Sequence, residues 1–295
     1  MGKEPTVLIG LGSTKSGTTW LYHYLADHPQ CHVRSRKELH YFDNLDPTAL
    51  NKERQKVSRK AEELGERAET AKGPMRYRVR KRFDDALDWL LVLNEDDDAD
   101  RDHAYISFLK SGRAGKPVVA DITPSYGIQS QEIYQRMMKV SEDVRFLYLM
   151  RDPVARLWSH VRMNAEKSKK SAPFETRCAD LLQSAIDGNL PEMRARGDYA
   201  TVLERAPSLP EGKFLALFYE DIFDGDGLRK LCEFAGLNYM PTDLTVRHHE
   251  GKSLDMTPEQ ENAAFQALFP QYEAAQAYMG TLPRKWQDRI NSFKG

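Results

Sequence analysis

The chain has 295 residues, with 43 Lys and Arg against 44 Asp and Glu, a formal net charge of −1. That balance excludes a global electrostatic hold on nucleic acid or an acidic membrane, so any basic patch must be local. Hydrophobic residues at 40% and aromatics at 10% exclude a wholly disordered chain, and 29% charged residues predict a heavily solvated surface.

Three widely spaced cysteines, Cys31, Cys178 and Cys232, indicate no disulfide framework and predict a reducing compartment. The first apolar run, Thr6 to Leu11, is too short for a signal peptide. No window approaches the ~20 apolar residues of a membrane span. The expectation is a soluble, cytoplasmic protein with neither nucleic acid nor membrane as partner. Nothing in the sequence fixes an oligomeric state. Without repeats or low-complexity linkers, residues 1–295 read as one domain with a charged helical insertion at about 50–113.

In chain order, Thr6 to Leu11 has the continuous apolar pattern of a strand buried on both faces. Thr18 to Asp27 follows as a helix, with Trp20, Leu21, Tyr24 and Leu25 on one face and Pro29 ending it. Three further buried strands are predicted at Pro117 to Ala120, Val144 to Met150 and Lys213 to Phe218, each followed by a polar cluster and a helical pattern. Strands alternating with helices predict an α/β fold, a three-layer arrangement with a central, mostly parallel sheet flanked by helices. Its ligand site should lie at the carboxyl ends of the strands. That places Gly12 to Thr19, Asp121 to Tyr126, Arg151 to Ser159 and Tyr219 to Asp221 along one rim. Charge-rich stretches, including 51–72 and the acidic run 95–98, read first as solvated helical faces.

Gly12 to Trp20 reads Gly-Ser-Thr-Lys-Ser-Gly-Thr-Thr-Trp and sits between strand and helix, where a phosphate loop belongs. Glycines let backbone amides turn toward an anion, the helix start adds unpaired N–H groups, and Lys15, Thr18 and Thr19 add a charge and hydroxyls. The ATP-binding loop requires Lys directly after its last glycine, whereas Lys15 precedes Gly17 by two residues. At the end of a later strand Arg151 offers a permanent charge and bidentate geometry for a phosphate. Glu38 and His40, two residues apart, would project from one face if that segment were extended. His28 and His32 flank Cys31, but Pro29 interrupts them, and no metal site is expected.

The loop Lys15-Ser-Gly-Thr-Thr-Trp20 resembles the 5′-phosphosulfate loop of soluble, bacterial-type sulfotransferases, which bind 3′-phosphoadenosine 5′-phosphosulfate (PAPS). The resemblance implies that Lys15 contacts the 5′-phosphosulfate and stabilises charge on the leaving oxygen. Ser16, Gly17, Thr18 and Thr19 would hold the 5′-phosphate, and Trp20 would lie against adenine. Arg151 and Ser159, eight apart, are similar to the family's 3′-phosphate pair. Tyr219 in Phe-Tyr-Glu-Asp-Ile resembles a residue flanking adenine, although that stretch reads equally well as structural. Arg247, Gly251 and Lys252 resemble the late loop that closes over the 3′-phosphate.

Lys37-Glu-Leu-His-Tyr-Phe42 and Thr123-Pro-Ser-Tyr126 resemble blocks of the heparan-type glycan sulfotransferases, implying Glu38 as base with His40 as helper or alternative. One departure stands out. The Lys that precedes Thr-Pro-Ser-Tyr in those enzymes is Ile122 here, so a cation must come from elsewhere, with Arg36 and Lys37 as candidates. The expected function is transfer of a sulfuryl group from PAPS to a hydroxyl or amine of a small-molecule or saccharide acceptor, with no metal required. Residues 50–113 and 164–208 would build the acceptor pocket. Two alternatives stay open: an ATP-dependent kinase with Asp121 as magnesium-binding acid, and an inactive nucleotide-binding protein of the same fold.

Overall fold

The computed structural model describes residues 4–168, 171–223, 226–243 and 251–294. Its strands are β1 (Thr6–Gly12), β2 (Cys31–Val33), β3 (Val118–Ile122), β4 (Val144–Met150) and β5 (Phe214–Phe218). They form one sheet in the order β2-β3-β1-β4-β5, and every neighbouring pair is parallel. The helices are α1 (Thr18–Asp27), α2 (Pro47–Thr70), α3 (Gly73–Asn94), α4 (Asp98–Lys110), α5 (Gln131–Lys139), α6 (Pro153–Lys167), α7 (Phe174–Ile186), α8 (Pro191–Ala195), α9 (Tyr199–Arg205), α10 (Tyr219–Phe223), α11 (Asp226–Ala235), α12 (Pro258–Met279) and α13 (Arg284–Lys294). Pro124–Ile128 makes a 3-10 turn directly after β3.

The predicted α/β architecture is the observed one. α1 and β4 have the expected bounds, and β1 runs one residue further, to Gly12. β3 covers Val118–Ile122 rather than stopping at Ala120, which carries Asp121 inside the sheet. β2 was not anticipated; three residues at the sheet edge are too few to show a periodicity.

Both faces of the sheet are covered, which is why its strands read as unbroken apolar runs. On one face Trp20, Leu21, Tyr24 and Leu25 of α1 pack with Leu228, Leu231 and Cys232 of α11 against Leu8, Ala120 and Leu147. On the other, Leu157 and Val161 of α6, Tyr105 of α4, Tyr134 of α5 and Tyr272 of α12 surround Val7, Ile9, Phe146 and Tyr148. Most of residues 47–110 lies in helices α2, α3 and α4. α2 and α3 share a satellite core of Ala61, Leu64, Ala68, Val79 and Ala86, and Val57 and Trp89 tie the pair to the main core. Among the described residues, no helix is long and apolar enough to cross a membrane.

The chain adds β2 and β3 to one side of β1, then β4 and β5 to the other. The carboxyl ends of β1 and β4 therefore diverge at a topological switch point, the usual crevice of an open α/β sheet. The 12–19 loop and Arg151 occupy it.

Candidate active site

The turn after β1 is shaped to receive an anion. Gly12 takes φ 130° and Gly17 φ 87°, a region that side chains rarely occupy. A Cβ on Gly17 would also lie 2.7 Å from the Tyr219 ring. Lys15 has φ 72°, so left-handed residues stand at 15 and 17, an alternation that gathers amide N–H groups into a concavity. Ser13 and Ser16 share a hydroxyl hydrogen bond of 2.5 Å inside the loop. Gly17 is the N-cap residue of α1, which therefore has no side-chain cap, and its first turn holds no acid. Its first amides and positive dipole end are left for a ligand.

Arg151 emerges from β4 into the same place. Its Nη1 donates to the Lys15 carbonyl oxygen at 3.4 Å, and its guanidinium lies 5.2 Å from the centre of the Tyr219 ring. The neighbouring Asp152 does not pair with it. Asp152 caps α6 by accepting from the Ala155 amide at 2.8 Å, and also accepts from Tyr272 at 2.8 Å and Arg289 at 3.1 Å. Arg151 is thereby free to act on a ligand, and among the described residues no carboxylate pairs with it or with Lys15.

The surroundings are strongly cationic. Burial, then Arg151, Lys167, Arg162 and Lys37, hold the Lys15 ammonium below its ordinary range. Burial, followed by Arg156, Arg196 and Lys15, pushes His160 down to about 3, so that ring is neutral. Arg156 is 1% exposed, and neither of its Nη atoms has a hydrogen-bond partner. The buried Thr14 hydroxyl is likewise unpartnered. A folded chain does not usually leave buried cations and donors unmatched. A nucleotide carrying a phosphate at each end supplies what this crevice lacks, so the residues present fit such a group.

The segment 36–43 approaches the rim from the other side, between β2 and α2. It is not extended. Glu38 at φ 60° and His40 at φ 56° are both left-handed, and strain of this kind persists only where surrounding contacts fix the backbone. Those contacts come from below. Asp121, buried in β3, accepts from Thr123 at 2.7 Å, Tyr126 at 2.9 Å and Tyr105 at 3.1 Å. Thr123 Oγ1 in turn accepts the Leu39 amide at 2.9 Å, and the Tyr126 hydroxyl accepts the Tyr41 amide at 2.9 Å. Leu39 and Tyr41, which flank His40, are thus hung on one buried carboxylate.

The two predicted side chains do meet, by this route rather than by strand geometry. His40 Nε2 lies 3.6 Å from Glu38 Oε2, and His40 Nδ1 lies 2.8 Å from Asp43. Ser125 donates to Asp43, and Lys37 reaches Glu38 at 2.6 Å. Burial works against both charges, but the partners prevail. His40 and Lys37 hold Glu38 at about 2, and Asp43 with Glu38 lifts His40 to about 9. At neutral pH the cluster rests as carboxylate, imidazolium and carboxylate. Burial raises Asp121 to about 6.

Of the predicted residues, the crevice brings together Lys15, Ser16, Gly17, Arg151 and Tyr219. Thr18 and Thr19 occupy the first turn of α1, and Ser159 is half-buried on α6. Trp20 is instead a core residue, 7% exposed, stacked on Tyr24 at 5.5 Å and tilted against Phe223 at 5.3 Å. Gly251 lies near Glu166, and Lys252 stands 5.5 Å from the Phe174 ring. Arg247 lies outside the described residues. Of the two candidate cations, Arg36 is committed to Glu53 at 2.5 Å, whereas Lys37 pairs with Glu38. Asp121 binds three hydroxyls and is 2% exposed, which corrects its alternative reading as a magnesium-binding acid. His28 and His32 bond the backbone carbonyls of Asn238 and Ser111.

Sequence reasoning missed Asp43, Ser125 and Tyr105. Asp43 had a readable signal, standing three residues after His40 in the same block. The other two contribute through contacts that only the fold creates.

Comparison with known proteins bears on the fold and the family. A model of the sulfotransferase family matches residues 5–241. No curated protein sequence matches the chain. A sulfotransferase from Alicyclobacillus acidocaldarius superposes with TM-score 0.62 at 18% identity, covering 97% of this chain and 99% of that one. The sulfotransferase domain of the Synechococcus PCC 7002 olefin synthase gives 0.56 at 16% identity, covering 96% and 97%. That of the curacin biosynthetic pathway gives 0.50 at 17%, covering 100% and 99%. At these identities the likeness is one of fold, and the family match spans most of the sequence: the chain belongs to the sulfotransferase family.

Proposed function

We propose that the chain transfers a sulfuryl group from PAPS to a hydroxyl or amine of a small-molecule or saccharide acceptor, releasing adenosine 3′,5′-bisphosphate. One observation carries this reading. Two uncompensated cations, Lys15 and Arg151, share one crevice, with the Arg151 guanidinium 3.4 Å from the Lys15 carbonyl, beside an uncapped helix start. One cation suits each phosphate-bearing end of a single nucleotide.

When bound, the donor supplies an activated sulfuryl group; the chain supplies position and charge. The α1 amides, Ser16, Thr18 and Thr19 hold the 5′-phosphate, while Arg151 and Ser159 hold the 3′-phosphate. Tyr219 flanks the adenosine in this reading, which its packing over Gly17 and beside Arg151 supports. Lys15 stabilises negative charge on the bridging oxygen as its bond to sulfur breaks. Glu38 takes the proton of the acceptor hydroxyl or amine as the new bond to sulfur forms. Its resting value near 2 belongs to the state in which Lys37 holds it. Release of Lys37 raises the basicity of the carboxylate and frees a cation for the reacting group, replacing the lysine absent at Ile122. His40 is a positioning group, because it is already protonated.

The three free, buried cysteines suit a reducing, cytoplasmic setting. Calorimetry without magnesium tests the donor assignment: adenosine 3′,5′-bisphosphate should bind in the micromolar range and ATP at least tenfold more weakly. Preference for ATP would return the kinase reading. Transfer of labelled sulfate to any acceptor would exclude the inactive alternative.

A further inference from the structure

A basic cleft opens beside the proposed base. Helix α2 turns Glu53, Lys56, Lys60 and Glu63 toward one side at three- and four-residue steps, a row rising about 15 Å along the helix axis. Arg36, from the 36–43 segment, faces this row. Together Arg36, Lys56, Arg59, Lys60 and Glu63 line a hollow of about 310 Å³. A second hollow of about 380 Å³ continues it over Gln55, Ser58 and Arg59. Arg36 lies two residues from Glu38, so their backbones are at most about 7 Å apart.

The acids here orient the cations without neutralising them. Glu53 bridges Arg36 at 2.5 Å and Lys56 at 3.0 Å, and Glu63 holds Lys60 at 2.6 Å. Four positive charges face two negative ones, a surplus of 4 − 2 = +2. The buried Arg36 Nε has no partner, and Arg59 makes a single marginal bond, Nε to the Gln55 carbonyl at 3.4 Å. A solvated helix face would be convex and self-paired. The hollow between Arg36 and α2 is assembled from two elements and keeps unused donors.

We propose that the acceptor carries an anionic group, a carboxylate, sulfate or phosphate ester, which docks in the Arg36–Lys56–Arg59–Lys60 cleft and presents the hydroxyl or amine to Glu38. This rests on the sulfuryl-transfer reading and adds the acceptor class to it. Exposed Arg59 and Lys60 set affinity for the acceptor and leave the donor crevice alone.

The test incubates the full chain with PAPS labelled in its sulfuryl group and a small-molecule cell extract separated by anion exchange into retained and unretained fractions. Labelled product should come from the retained, anionic fraction. The doubly reversed variant Arg59→Glu, Lys60→Glu should lower its formation about tenfold at subsaturating acceptor. Affinity for adenosine 3′,5′-bisphosphate should stay within twofold, and the control Arg80→Glu on exposed α3 should change nothing. Label arising from the unretained fraction, or label indifferent to the double reversal, would overturn the cleft assignment alone, whereas no product from either fraction while the bisphosphate still binds would overturn the transfer reading together with it. Failure of the wild-type chain to bind the bisphosphate would instead overturn the donor reading, and this proposal with it.

Discussion

The two sides of the rim handle charge in opposite ways. In the crevice between β1 and β4, Lys15 and Arg151 stand without a carboxylate, and α1 starts without a side-chain cap. In the 37–43 segment every charge is matched: Lys37 with Glu38, Glu38 with His40, and His40 with Asp43. An unmatched cationic crevice gains its compensation from an anionic ligand. The matched Lys37–Glu38–His40–Asp43 cluster instead fixes a carboxylate in its ionised form and in one orientation. The first arrangement suits holding a nucleotide, the second suits receiving a proton.

Substitutions can break each side separately. The largest effect should come from Glu38→Gln, which keeps the shape and removes the proton acceptor; kcat should fall about 10²- to 10⁴-fold with bisphosphate affinity nearly unchanged. Steady-state kinetics beside calorimetry would separate the two readouts. Lys15→Ala should lower kcat about 10²- to 10³-fold, since it removes charge stabilisation that grows in the transition state. Arg151→Ala should act mainly on binding, raising the bisphosphate Kd about 30- to 100-fold through loss of charge-assisted hydrogen bonds. Should Arg151→Ala reduce kcat alone, the division of labour between the two cations is wrong.

Smaller effects sharpen the matched side. Tyr126→Phe removes the hydroxyl that links Asp121 to the Tyr41 amide, leaving a buried donor unpaired; it should cost about 1–3 kcal/mol of stability in denaturant titration and several-fold in kcat. The smallest effect is on pH dependence. His40 is raised from its ordinary 6.5 to about 9, so its stabilisation is complete below about 6.5 and fades as pH rises through about 9. Glu38, lowered to about 2, loses its contribution only as pH falls toward that value. Thermal unfolding from pH 6 to 10 should show the wild-type Tm falling, and His40→Gln should flatten that fall. An equal slope in both would remove His40 from the cluster.

The parallel sheet and the phosphate turn were legible because burial on both faces writes itself as continuous apolar runs such as Val144–Met150, and because Gly12 and Gly17 mark a turn that side chains would obstruct. Arg151 was legible as a strand-end charge. The backbone of Glu38 and His40 was not. Its left-handed form is imposed by Thr123 and Tyr126, some 85 residues away, and no local pattern reports it. Asp121 misled for the same reason. An acid near a strand end reads as a ligand group until the hydroxyls of Tyr105, Thr123 and Tyr126 are seen to enclose it. Trp20 lay within a motif associated with the nucleotide, yet its helical spacing with Tyr24 already described a core residue.

The most direct measurement is calorimetric titration of the magnesium-free chain with adenosine 3′,5′-bisphosphate, repeated with adenosine 5′-phosphate and with Arg151→Ala. A single site should appear that loses at least tenfold in affinity when either the 3′-phosphate or the Arg151 guanidinium is removed, with no further loss when both are absent. Equal affinity for the two nucleotides, or losses that simply add, would contradict a crevice in which Lys15 and Arg151 grip the two ends of one nucleotide.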